Sequence, residues 1–194
     1  MGTVSLSALA VVALALSSAV ADAKSPIAGK RLSHPNGYTI VVPAGWDPYV
    51  GEKAMGVDFR LFTPNRGDGM CVFTSSPGLG LNMTEAELKD ILATADLGGE
   101  TFTKYFLGGE MNDIAYTQTG PQPDHPGGWP VQRAELTYSD GGPAANGGTP
   151  SVAWAYMTFR RDTLFIGYCG VDAGVAEAMR NDVKALINAV EFSP

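Results

Sequence analysis

Histidine and cysteine are scarce in this chain, with two of each in 194 residues. A zinc centre takes three or four N, S or O ligands, so His34 and His125, far apart in sequence, are a poor start for one. No Gly-x-Ser-x-Gly elbow occurs, which removes the common exported esterase. A His-Glu-x-x-His pair and a Gly-x-x-x-x-Gly-Lys loop are missing as well, which removes the corresponding zinc protease and phosphate-loop chemistries. Charge is also thin: 17% of residues are charged, and 13 basic residues face 20 acidic ones for a net charge of −7. An acidic chain repels phosphate backbones, so no nucleic-acid partner is expected. None of these patterns calls for a cofactor.

What is present begins with an uncharged run, Gly2 to Ala21, followed by Ala21-Asp22-Ala23 and then Lys24. Small residues in an A-x-A arrangement after an apolar stretch are the mark of a cleaved secretory leader. The expectation is a signal peptide over 1–23 and a single α+β domain over 24–194, in a periplasmic or secreted protein with no membrane span after cleavage. The competing reading is a retained anchor, since the run is long enough to span. Against the cleaved leader stands an n-region without Lys or Arg.

The two cysteines, Cys71 and Cys169, lie in short apolar runs beside glycine. In an exported chain a lone pair of this kind forms one bridge. That bridge would close a loop of about a hundred residues and tie an early strand to the last one. Two buried free thiols are the alternative. A reactive thiol would need a neighbouring base, and nothing in the sequence places His34 or His125 beside Cys71.

Residues 24–36 read as a polar lead-in. Tyr38 to Val42 is a β-branched run ended by Pro43, with Gly45 in a turn. Val57 to Phe62 and Met70 to Thr74 read as strands joined by the turn from Pro64 to Gly69. Over Met83 to Leu97 the period becomes helical: Thr84 and Glu87 form a capping-box signature, Leu88, Ile91, Leu92 and Ala95 share a face, and Gly98-Gly99 stops the helix. Asp113 to Thr119 is a further strand. Val131 to Tyr138 alternates, with Ala134, Leu136 and Tyr138 opposite Arg133 and Glu135. Val152 to Phe159 is apolar on both faces, as in a strand covered on both sides, and Leu164 to Cys169 is its hairpin partner. The Gly/Pro-rich segments 120–130 and 140–150 read as exposed connections. Asp172 to Val190 is the last helix, with Asp172 as its cap and Val175, Met179, Val183, Leu186 and Val190 as its buried stripe. Phe192 supplies a final core contact. The sum is an α+β chain, a mostly antiparallel sheet with flanking helices.

The Val42-Pro43-Ala44-Gly45-Trp46 corner, the stretch Arg160 to Gly167 and this order of elements resemble the PsbP/DcrB-like family over Tyr38 to Phe192. The resemblance implies a small α/β/α sandwich with a C-terminal helix, often exported. Members of that family serve as photosystem subunits, small-GTPase partners and envelope proteins, with no shared catalytic residue. Fold alone does not carry any of those roles across.

Candidate sites are sparse. Asp124-His125 in the first Gly/Pro segment lacks co-ligands, and Asp140 and Asn146 in the second lack the spacing of a calcium loop. Glu85, Glu87 and Asp90 read as an acidic helix start favoured by the macrodipole. Trp46, Tyr49 and Trp129 carry the one hint of recognition, because aromatic side chains on loops offer large area at low entropy cost. If their loops share one end of the sheet, the three would line a groove. Trp46 as a plug for the end of the core is the plainer reading, and Trp154 reads as core. The sequence therefore points to a non-catalytic protein that binds a partner or cell-envelope component. The alternatives are a hydrolase-type enzyme with an unrecognised site and an accessory subunit of an envelope complex.

Overall fold

The computed structural model describes residues 31–49, 57–95, 111–122, 129–140 and 150–193. The leader expected over 1–23 lies outside them. Among the described residues ten strands and two helices follow one another: β1 (Arg31–His34), β2 (Tyr38–Val41), β3 (Asp47–Tyr49), β4 (Phe59–Phe62), β5 (Gly69–Pro77), α1 (Glu85–Thr94), β6 (Met111–Gln122), β7 (Val131–Asp140), β8 (Pro150–Arg160), β9 (Thr163–Asp172), α2 (Ala176–Asn188) and β10 (Glu191–Phe192). The α+β class read from the sequence is the class observed, and every described strand pairing is antiparallel.

The described strands form two sheets rather than the one expected. Seven strands run in the order β3-β4-β5-β9-β8-β7-β6, and three more in the order β1-β2-β10. The small sheet arises inside the supposed lead-in. Its Asn36-Gly37 pair is a hairpin signal, with Gly37 at φ +87° and its N–H donating to the His34 carbonyl at 3.0 Å. Arg31 thereby comes opposite Val41, and Phe192 pairs with Tyr38 from the other side. Phe192 is half-buried, with its ring centroid 4.9 Å from that of Phe165.

Pro43 ends β2, and the corner turns through Gly45 at φ +81°, a left-handed conformation that suits glycine. The chain then enters β3, a short strand on a stretch read as loop. Its buried Asp47 receives the Arg66 guanidinium at 2.5 and 2.9 Å.

The core has two faces because β7, β8 and β9 alternate. On one face Trp154, Tyr156, Phe165 and Cys169 meet Leu61, Cys71 and Phe73, and are covered by the small sheet and by Val183 and Leu186 of α2. On the other face lie Leu136, Ala153, Met157, Leu164 and Ile166. Fully burying one such side chain contributes about 1.5–3 kcal/mol. α1 sits on this second face, where the Gln132 amide of β7 donates to the Leu92 and Ala95 carbonyls at 2.7 and 2.8 Å.

That amide caps the end of α1, which stops at Thr94, before the glycines expected to stop it. The capping box at its start is present: the Glu87 N–H donates to the Thr84 hydroxyl and the Glu87 carboxylate accepts the Thr84 N–H. Asp172, expected to cap the second helix, instead accepts the Gly174 N–H at 2.7 Å. It ends β9, and α2 begins at Ala176 behind Val175, an N-cap that makes no side-chain cap. Gly120–Gln122, read as part of an exposed connection, extends β6.

The β8–β9 turn places Arg161 at φ +53°, a left-handed conformation uncommon outside glycine. Asp162 anchors the segment leading to α1, its carbonyl accepting the Gly78 and Leu79 N–H groups and its carboxylate that of Leu81. β5 and β9 pair over nine positions with Cys71 opposite Cys169, and a disulfide joins the two. Among the described residues no helix is long and apolar enough to cross a membrane.

Candidate functional site

α2 lies over β8 and β9, and among the described residues the same face of β6 and β7 beside it is open. The space between is a cleft of about 110 Å³. Alternation along β7 sends Arg133 and Glu135 to this face, opposite the buried Ala134 and Leu136. Trp154 and Tyr156 of β8 form the floor, Gln118 and Gln122 of β6 one wall, and Lys184, Ile187 and Asn188 of α2 the other.

Two of the charges here satisfy each other. Arg180 of α2 donates to the Glu135 carboxylate at 2.5 Å and to Glu177 at 3.0 Å, and its guanidinium lies 5.4 Å from the centre of the Trp154 ring. The other two cations of the cleft, Arg133 and Lys184, are exposed and have no ion-pair partner among the described residues. The cleft thus carries excess positive charge on a chain that is negative overall. The Trp154 indole N–H is buried and has no acceptor among the described residues.

A second polar cluster joins the two sheets. The Asp58 carboxylate accepts the Tyr38 hydroxyl at 2.9 Å and the Ser75 hydroxyl on one oxygen, and its other oxygen is 3.3 Å from His34 Nε2. His34 Nδ1 accepts the Asn36 N–H at 3.3 Å, and the Asn36 side chain donates to Ser75. Burial, with the Asp58 charge second, pushes the Tyr38 phenol well above its ordinary pKa. A hydrolytic triad needs serine bonded to histidine and histidine to carboxylate. Here serine and histidine both bond the carboxylate, which is the order of a clamp. Cys71, being oxidised, presents no thiol.

The three aromatic candidates are not brought together. Trp46 is wholly buried in the core beneath the corner. Tyr49, on the edge strand β3, is half-buried, with the Arg60 guanidinium 5.9 Å from its ring centre. Trp129 stands ahead of β7, five strand positions away in the sheet order. It is 5% exposed, donates through its indole N–H to the Phe159 carbonyl at 2.9 Å, and has Lys89 and Arg160 within 4.5 and 5.3 Å of its ring centre. Each such cation–ring contact contributes about 0.5–2 kcal/mol. Glu85, Glu87 and Asp90 are exposed on α1. His125, with Asp124, lies outside the described residues, as do Asn146 and the side chain of Asp140. Among the described residues no three His, Cys, Asp or Glu side chains are grouped to hold a metal.

The cleft was not read from the sequence, yet half of it was in view. Arg133 and Glu135 alternate against a buried row in β7, and the neighbouring strand β8 is apolar on both faces. Two charges beside such a strand mark the place where its cover ends.

No protein-family model and no curated protein sequence matches the chain. Solved structures do. The solution structure of cyanobacterial PsbP (CyanoP) from Synechocystis sp. PCC 6803 superposes with a TM-score of 0.55 at 15% identity, over 91% of this chain and 98% of that one. LpqN of Mycobacterium tuberculosis, described as involved in cell envelope biogenesis, superposes with a TM-score of 0.51 at 10% identity, over 85% of this chain and 90% of that one. With helices on both faces of an antiparallel sheet and these two likenesses, the chain has the PsbP-like fold.

Proposed function

We propose that this chain is an exported, non-catalytic protein that binds a partner or cell-envelope component, and that capture takes place at the cleft between α2 and β6–β7. One observation carries the reading: Arg133 and Lys184, two cations without an ion-pair partner among the described residues, line a concave surface with an aromatic floor on an acidic chain. Pockets with an apolar base and a few convergent polar groups are the usual form of a binding site. The leader pattern and the disulfide support an oxidising, extracytoplasmic setting. The likeness to LpqN, an envelope-biogenesis protein, fits that setting.

A photo-crosslinking residue at Gln118, in the full chain expressed in its own host, tests the site. The expected result is a discrete adduct that disappears in the Arg133→Gln, Lys184→Gln double variant. No adduct, or one indifferent to those two changes, would remove the cleft. Turnover on a hydrolase panel that is abolished by His34→Ala would overturn the non-catalytic assignment.

A further inference from the structure

We infer that the cleft takes a small oxyanion, a phosphate or carboxylate group, held between Arg133 of β7 and Lys184 of α2. The inference rests on the reading of this cleft as the capture surface and names its ligand chemistry.

Size is the first argument. A site needs roughly 10–15 Å³ on this measure to hold one water. A volume of about 110 Å³ therefore admits a head group of several heavy atoms and excludes a folded element.

Charge is the second argument. Every other described Lys or Arg has a partner. Arg31, Arg66, Arg161 and Arg180 pair with carboxylates. Arg60, Lys89 and Arg160 lie near aromatic rings. Arg133 and Lys184 have neither among the described residues, and both line one cleft, from β7 and from α2. Glu135, the carboxylate beside them, is already neutralised by Arg180, so it does not cancel their charge. An anion bound in the cleft is attracted by both cations.

Donor chemistry is the third argument. A guanidinium offers a planar fork that matches two oxygens of a phosphate or carboxylate, and an ammonium adds a point charge. The amides of Gln118, Gln122 and Asn188 add neutral donors at the rim. Trp154 and Tyr156 keep the floor poor in water, which strengthens charge-assisted bonds above it.

The test is NMR of the ¹⁵N-labelled full chain, titrated at constant ionic strength with inorganic phosphate and separately with acetate. The Trp154 indole signal is assigned with Trp154→Phe. The expected result is a saturable shift of that indole and of the Asn188 and Gln118 amides with at least one of the two anions. Arg133→Gln and Lys184→Gln should each raise half-saturation by about tenfold. Both residues are exposed, and unchanged melting would verify that the variants fold. Cosedimentation with phosphatidic acid vesicles, lost in the same variants, would assign the anion to a lipid headgroup. Saturation by free phosphate or acetate without vesicle binding would assign it to a soluble ligand. No saturable shift with either anion, or shifts unaffected by the two substitutions, would overturn the inference. If the Gln118 adduct persists in that case, the capture surface stands and its oxyanion chemistry falls. If the adduct is missing too, both fall.

Discussion

Gly167 faces the Tyr156 ring across the β8–β9 pair. A Cβ built at Gly167 would stand 2.0 Å from Tyr156 Cε1. The ring is 2% exposed and has no room to retreat, and burial raises its phenol pKa, keeping it neutral. Gly170 is held by the same kind of constraint, since a Cβ there would meet the hydroxyls of Tyr138 and Tyr168 at 2.7 Å. Overpacking of this kind costs about 1–3 kcal/mol or somewhat more. Gly167→Ala is therefore expected to lower the unfolding free energy, measured by urea titration, by about 1–3 kcal/mol. Adding Tyr156→Leu should recover part of the loss, because the two changes share one contact. Additive losses in the double variant would show that the ring is not the obstacle.

The two helices are held in different ways. α1 has its capping box and the Gln132 amide at its end, and buries Leu88 and Leu92. α2 lacks a side-chain cap and depends on Val183 and Leu186, with Val190 just beyond it, packed into the sheet face. The α1 box brings a pH dependence. Hydrogen bonds from the Thr84 N–H and hydroxyl hold the Glu87 carboxyl below its ordinary pKa of 4.5. A depressed acid contributes stability above its unfolded pKa and loses it as pH falls through the folded value. The first turn of α1 should thus begin to fray as pH drops below about 4.5, while α2 does not. Cα chemical shifts of Glu85 to Leu88 across the acid range measure this. Glu87→Gln, which keeps an acceptor but cannot titrate, should flatten the dependence. A wild-type profile as flat as that of the variant would remove the box as its cause. Glu87 is fully exposed, so the effect stays local and weakens with salt.

At the scale of the whole molecule, the disulfide links β5 to β9, the two strands on which the order of the large sheet turns. Its sequence separation is 98. A loop of that length restricts the unfolded chain enough to contribute on the order of 4–5 kcal/mol in the chain-entropy account. Both cysteines are fully buried. Cys71→Ala with Cys169→Ala is expected to lower unfolding free energy by that order, measured by denaturant titration. In the oxidised wild type, alkylation should label no thiol even when the chain is unfolded. Prompt labelling without a reductant would contradict the bridge. The clamp at Asp58 works at the same scale, since Tyr38 and His34 belong to the small sheet and Ser75 to the large one.

The sequence by itself determined the features that depend on neighbours along the chain: the strand stopped at Pro43, the Thr84–Glu87 box, the alternation of β7, the two-sided β8 and the apolar stripe of α2. Each is a matter of backbone chemistry or period, legible within a dozen residues. Where local signals competed, the reading slipped. The composition of residues 24–36 suits a polar lead-in, whereas Asn36 and Gly37 turn a hairpin, and Asp172 suits a helix cap, whereas it ends a strand. The tertiary structure alone decided that the strands divide into two sheets, that Lys89 and Arg160 lie beside the Trp129 ring, and that Arg133 and Lys184 share a cleft. Those outcomes follow from which strands pair and which face α2 covers. Pairing of that kind joins residues far apart in the chain, and no short window of sequence contains both partners.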